Sequence, residues 1–321
     1  MSEELIRVEH LKKYFDTPRG KLHAVDDVGF TLDAGKTLGV VGESGCGKST
    51  LGRTVLGLLP ATDGKIFFEG RDITQAKGRE RRELQKDMQI IFQDPFSSLN
   101  PRYTVFELIA NPLRSFHLCS SKQEIEDKVF SLMDTVGLAR RFAYSYPHEL
   151  DGGRRQRIGI ARALSVDPKF IVCDEPVSAL DVSIQAQVLN LLQDLQAEKH
   201  LSYIFVTHDM SVVKHISDDI LVMYVGSMIE KCPSRRLFEM PLHPYTKGLL
   251  SAIPVPSIRR EKKRIIMQGE RTSPVTPKPG CRFAARCPSA KERCQQEMPT
   301  YEEVQPDHFV ACHYVREIND L

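Results

Sequence analysis

The sequence predicts an α/β protein built on a mainly parallel sheet, followed by a small loop-rich tail. Three observations carry that expectation. Short apolar runs without alternation, LGVV at 38–41, FIVC at 170–173 and SYIFVTH at 202–208, have the length of strands buried on both faces. Stretches of helical period separate the last two runs, and such alternation is what a parallel sheet needs. After about residue 253, prolines and charges replace the pattern.

Composition agrees and narrows the field. A chain of 321 residues is long for one domain, and 41% hydrophobic with 27% charged residues suits a protein that buries a large core. Lys and Arg total 44 against 42 Asp and Glu, a net charge of +2, which removes the electrostatic case for nucleic acid. No run approaches the ~18–20 apolar residues of a membrane helix. The start, MSEELIRVEH, is too polar for a signal peptide. A cytosolic protein is expected, reaching a membrane only through partners.

The elements follow in order. Within residues 5–70, LIRVEHL, LHAVDDVGFTLDAGK and KIFFEG alternate and turn like short strands. A mainly helical stretch is expected over about 96–165. In it, SKQEIEDKVFSLMDTVGL sets Ile125, Val129, Leu132, Met133 and Val136 at helical spacing, closed by Gly137. VSIQAQVLNLLQDLQAEKH is a second long amphipathic helix. Pro254, Pro256, the run RREKKR at 259–264 and Pro274, Pro277 and Pro279 then mark a linker and a solvated tail. The expected division is a first domain at 1–255, with the helical part inserted, and an extension at 256–321.

Residues 42–50 read GESGCGKST, with Gly42, Gly47, Lys48 and Ser49 fitting the phosphate-binding loop. The setting fits too, since a buried strand enters and a helix leaves from near Lys48. Glycines let the backbone wrap phosphate at a helix N-terminus. Lys48 is then expected at the β- and γ-phosphates and Ser49 at magnesium. FIVCDEP at 170–176 ends a strand in Asp174 and Glu175, at the sheet edge where ligands of open α/β sheets bind. Asp174 suits magnesium, and Glu175 suits polarising a water for attack on the γ-phosphate. Alone, that pair would read as a solvated acidic turn. SYIFVTHDM places His208 at the same edge.

Together these residues resemble the ATP-binding cassette (ABC) ATPases, over about residues 5–250. The likeness implies a P-loop ABC ATPase fold with an inserted helical subdomain. It implies ATP contacts from Glu43, Ser44, Gly45, Cys46 and Thr50 beside the loop residues above. Gln93 in IIFQDP falls at the family's Q-loop, which also meets magnesium. Asp181 in SALD falls at the D-loop, His208 at the switch histidine, and Tyr14 where an aromatic ring stacks on adenine. Within the family, QDPFSSLNPR, PLHPYTKGLLSAIP and the cysteine-bearing tail look like ATPase subunits of oligopeptide and dipeptide importers. That resemblance implies a peripheral subunit at the cytoplasmic face of the membrane. Its partners would be a second ABC ATPase subunit, two membrane permeases and, indirectly, an extracytoplasmic substrate-binding protein. Two ATPase domains would close head to tail around two ATP molecules. Import of nickel or another small solute would suit the same ATPase. Non-transport ABC proteins acting on ribosomes or DNA usually carry two cassettes or a coiled-coil insertion, and neither is present here.

One stretch departs from the family pattern. Where LSGGQ is expected, residues 150–154 read LDGGR. Gly152 and Gly153 keep the close backbone approach, while Asp151 and Arg154 replace serine and glutamine. Asp151 is an adequate helix N-cap. As a charge it would stand against the ATP bound to a partner, at a cost of about 4 kcal/mol for ~4 Å at an effective dielectric near ~20. Arg154, one turn on, could compensate. An active site and a non-hydrolysing assembly module therefore both stay open, and the uncompensated case favours a heterodimer, which bears the charge once.

The eight cysteines divide unevenly. Cys46, Cys119, Cys173 and Cys232 are scattered, while Cys281, Cys287, Cys294 and Cys312 crowd the tail at gaps of five, six and seventeen residues. Clustered thiols in a cytosolic protein point to metal rather than disulfides. The gaps match neither common zinc spacing nor a ferredoxin run. The subfamily resemblance implies a four-iron, four-sulfur cluster. Zinc is the alternative, with His308 and His313 in reserve. Cys46, inside the phosphate loop, reads as a tolerated small residue; a thiol pKa lowered by the helix N-terminus, with oxidative inactivation, is the alternative.

Overall fold

The computed structural model describes residues 3–253, 265–267, 269–270 and 272–321. Pro254, Pro256, the charged run 259–264 and the boundary expected near 255 lie outside the described residues. The polar–apolar alternation at the start forms one long hairpin, β1 (Glu4–Thr17) and β2 (Gly20–Asp33), paired antiparallel from Glu4↔Asp33 to Thr17↔Gly20. It buries Ile6, Val8, Leu11, Val25 and Val28. Its strands are longer than expected because breaks in the alternation are absorbed as register shifts rather than turns.

The buried strand β3 (Thr37–Val41), helix α1 (Lys48–Val55) and strands β4 (Asp63–Phe68) and β5 (Arg71–Asp72) follow. Next come α2 (Gly78–Asp87), β6 (Met88–Ile91), α3 (Pro95–Ser98), α4 (Val105–Ser115), α5 (Lys122–Thr135) and α6 (Gly152–Leu164). Then β7 (Phe170–Asp174), α7 (Val182–Lys199), β8 (Ser202–Val206) and α8 (Met210–Ile216) lead to a second hairpin, β9 (Asp219–Tyr224) and β10 (Ser227–Pro233). The chain finishes with α9 (Ser234–Glu239), α10 (Pro244–Ser251), α11 (Glu292–Gln296), β11 (Glu302–Gln305), β12 (His308–Val310) and α12 (Val315–Asn319).

The described residues form two compact units, one drawn from 1–33, 37–75 and 205–321, the other from 34–36 and 76–204. In the first, β2–β1–β4–β5 make an antiparallel sheet. Strands β11–β12–β10–β9–β3 follow one another in a second sheet, where β3 and β9 are parallel and the rest antiparallel. The tail is therefore not only loops, since β12 adds to the edge of β10 through Glu230↔Val310 and Lys231↔Phe309. The join is buried: the Glu230 carboxylate accepts from the Leu242 amide at 2.7 Å and the His243 amide at 3.0 Å, and lies 2.8 Å from His308 Nε2. Phe283 of the tail packs with Tyr224 and Tyr245.

In the second unit the strands run β8–β7–β6, with β6 and β7 parallel. The helix expected within SKQEIEDKVFSLMDTVGL is α5, which buries Val129, Leu132 and Met133 and is followed, past its cap at Val136, by Gly137 with φ 66°. A Thr104–Glu107 capping box starts α4. Among the described residues, no helix is long and apolar enough to cross a membrane.

Candidate nucleotide site

The phosphate loop lies in the first unit, between β3 and α1. Gly42, Gly45 and Gly47 all take positive φ, and a Cβ on Gly47 would fall 1.9 Å from the Ala24 carbonyl oxygen. Only glycine closes that turn. Lys48, 4% exposed, donates to the carbonyls of Gly42 at 2.8 Å and Glu43 at 3.1 Å. The loop's own backbone thus holds the ammonium group within it. Gly47, the N-cap of α1, brings no side-chain acceptor. Ser49 and Thr50 stand in the first turn, as the motif predicts. Ser44 and Gly45 are exposed at the tip of the loop. A cavity of about 240 Å³ beside the loop is lined by Glu43, Gly45, Cys46, Tyr224, Val225 and Ser273, among others.

Cys46 fits its reading as a tolerated small residue. Burial raises its thiol pKa, outweighing the Lys48 charge, so the lowered pKa expected of a helix N-terminus is not found. The thiol stays protonated and packs as a small apolar group.

Tyr14, on β1, stacks on His23 at 3.9 Å between ring centroids and donates its hydroxyl to Asp26. Burial opposes ionisation of Asp26, but bonds from Tyr14 and His23 and the Arg282 charge hold its carboxyl below the usual range. Burial and the bond to Asp26 push the Tyr14 hydroxyl pKa up. His208 is exposed in the turn after β8, where the Thr207 amide donates to Val40 at 3.1 Å.

The second unit holds the other candidates. Asp174, 1% exposed, ends β7. Glu175 follows with φ 47°, and its carboxylate accepts from Gln93 Nε2 at 2.9 Å. The Q-loop glutamine and the acidic residue meant to polarise water, 82 positions apart, are thus brought together. Asp181 caps α7, accepting from the Ile184 amide at 3.0 Å. At the altered signature stretch, Asp151 caps α6 by accepting from the Arg154 amide at 2.8 Å and pairs with the Arg154 guanidinium at 2.6 Å. The pairing with Arg154 that the sequence left open is present. Gly153 is required here, since a Cβ would sit 2.7 Å from Ile184.

Cys281, Cys287, Cys294 and Cys312 line a single cavity in the first unit, closed to about 10 Å³. Burial, followed by the neighbouring thiols, raises the Cys281 pKa to about 11. Among the described residues no group of three or more His, Cys, Asp or Glu side chains is set to hold a metal ion. His313 lines the cavity, whereas His308, expected as a reserve ligand, is taken by Glu230.

Sequence reasoning missed Asp26, Tyr245, Arg282 and Arg286. Tyr245 Oη accepts from the Glu43 amide at 3.0 Å, and Arg286 Nη1 reaches both Glu43 carboxylate oxygens at 3.1 Å. No local pattern marks partners that lie 202 and 243 positions apart.

Comparison with known proteins gives the family. The profile of the ABC transporter family matches residues 25–178, and that of the oligopeptide/dipeptide transporter C-terminal region matches residues 229–294. The oligopeptide transport ATP-binding protein AppF of Bacillus subtilis is 49% identical over 323 residues, covering 97% of each chain. OppF of Salmonella typhimurium, of the same description, is 52% identical over 309 residues, covering 93% of this chain and 92% of its own. An ATP-binding cassette solved as a post-hydrolysis dimer bound to ADP and phosphate superposes with TM-score 0.67 at 26% identity, covering 72% of this chain and 99% of that one. The class is thus the ABC transporter ATPases, and within it the chain belongs to the family of oligopeptide transport ATP-binding proteins.

Proposed function

We propose that this chain is the ATP-hydrolysing subunit that energises an importer of oligopeptides or dipeptides. The observation that carries the reading is the buried Lys48, held by its own loop's carbonyls at the glycine-capped start of α1. There it meets the β- and γ-phosphates while the amides of residues 43–50 wrap them. Tyr14 stacks on adenine. Ser49, Gln93 and Asp174 offer the hard oxygen donors that magnesium takes, and the buried Asp174 carboxylate suits a cation. When bound, magnesium neutralises charge on the phosphate oxygens. Glu175, oriented by Gln93, polarises the attacking water, and His208 holds the γ-phosphate. Asp181, Asp151, Gly152, Gly153 and Arg154 serve ATP bound to the second ATPase subunit.

That second subunit is read as a different chain, so that an acidic signature stretch serves one of the two sites. The Arg154 pair weakens that pressure without removing it, because both side chains are about half exposed, at 45% and 56%. Two membrane permeases receive the closing motion at the cytoplasmic face, and a substrate-binding protein delivers the peptide to them. Glu175→Gln in the assembled importer is expected to cut hydrolysis by ~10²–10⁴-fold while ATP still binds. Undiminished hydrolysis would overturn the assignment.

The tail thiols are read as ligands of an iron–sulfur cluster, with zinc as the alternative. The convergence of all four on one cavity supports this, as thiolates suit either metal. The cavity must open to admit a cluster. Protein prepared without oxygen is expected to be brown, with about four irons per chain, and Cys287→Ser or Cys294→Ser to lose them. A colourless protein with one zinc would favour the alternative, and one with neither metal would end the reading.

A further inference from the structure

We propose that the C-terminal extension is a built part of the nucleotide site, with Arg286 positioning the phosphate loop and Arg282 positioning the base-stacking tyrosine; this rests on reading residues 42–50 as the triphosphate cradle. Glu43, the residue after the first loop glycine, puts a carboxylate beside that cradle. Left unpaired, it would repel the incoming anion. Arg286 meets it as a fork, Nη1 at 3.1 Å from both oxygens and Nη2 at 3.1 Å from one, with the two side chains only 11% and 18% exposed. The Glu43 amide is fixed by Tyr245 Oη and its carbonyl by Lys48. The residue is therefore held through amide, carbonyl and carboxylate, and the last contact comes from the tail.

Arg282 works on the other side of the site. It pairs with Asp26, which accepts from Tyr14, and it donates to the Val225 carbonyl. The next residue of that turn, Gly226, donates to the loop carbonyl of Cys46 and accepts from the Asp26 amide, both at 2.8 Å. Tail residues also run along β2, where the His23 amide donates to Pro274 and the Thr276 amide to Lys21. Arg286 ends the 3₁₀ turn Ala284–Arg286 and Arg282 lies two residues before it starts, so one short stretch of the tail addresses both ends of the nucleotide.

The two roles separate by ligand. With full-length protein, binding of fluorescent ATP and of inorganic tripolyphosphate is measured. Arg286→Ala is expected to weaken both by on the order of tenfold, since charge and loop geometry are shared by the two ligands. In the assembled importer the KM for ATP rises likewise, while kcat stays within about twofold. Arg282→Ala is expected to weaken ATP only. The double change Glu43→Gln with Arg286→Gln recovers most of the affinity, which a merely structural loss of the tail would not allow. If Arg286→Ala fails to fold, Arg286→Lys carries the test, with partial retention of affinity expected. Parent-like binding of both ligands by both arginine variants, or equal losses without rescue by the double change, would overturn the proposal. Failure of the parent to bind either ligand would instead overturn the phosphate-loop reading.

Discussion

Helices α1 and α6 begin in opposite ways. The start of α1 is capped by Gly47 at φ 107°, with the buried Lys48 cation directly behind it. The start of α6 is capped by Asp151, whose carboxylate takes the Arg154 amide and guanidinium. A helix N-terminus attracts anions through its amides and its dipole. The first leaves its amides open to an anion from outside, as the proposed phosphate site needs, and the second already carries a carboxylate of its own, paired with Arg154. Conserving the helix dipole is therefore not enough to make two equal phosphate sites. The capping residue decides what charge the terminus offers.

Breaking the first terminus has the largest expected effect. Lys48→Ala removes the buried cation, and nucleotide affinity should fall on the order of ten- to hundredfold, the range of charged hydrogen bonds; titration with fluorescent ATP reads it, and equal affinity would remove Lys48 from the site. Next in size is Gly47→Ala, which forces a side chain to positive φ and against the Ala24 carbonyl. Thermal unfolding should show a loss of roughly 1–3 kcal/mol, with weaker ATP binding. A variant as stable as the parent would mean the turn has other ways to close.

The smallest effects sharpen the second terminus. Arg154→Gln alone should weaken ATP-driven association with the second ATPase subunit a few-fold, because it exposes the Asp151 charge. Asp151→Ser with Arg154→Gln should restore it. The coupling expected from an exposed pair is about 0.2–1 kcal/mol. Association that ignores all these changes would show that neither charge meets the partner's ATP.

The sequence announced the parts whose determinants are local. Glycine spacing marked the phosphate loop, helical period marked α5, and apolar runs marked β3, β7 and β8. The β9–β10 hairpin escaped because its strands are buried almost throughout and carry little alternation, and its turn at Val225–Gly226 lacks the usual Asn-Gly signal. Strands β11 and β12 escaped because four and three residues are too few for a period, and they exist by pairing onto β10. At the candidate site, Lys48, Asp174 and Glu175 were legible. Arg282 and Arg286 were not, since an arginine in a basic, proline-rich tail looks like any solvated charge until the fold brings it to Asp26 and Glu43.

Glu230 has a consequence for anyone shortening this protein. Its fully buried carboxylate depends on the Leu242 and His243 amides and on His308, only thirteen residues from the end of the chain. A version cut before residue 300 would strand that charge without its imidazole and bare the β10 backbone to the next molecule. An orphaned buried acceptor costs ~1–3 kcal/mol, and more when charged, and an open strand edge invites self-association. The extension therefore cannot be trimmed as a disposable tag, and a minimal nucleotide-binding fragment of this chain should precipitate where the whole stays dissolved.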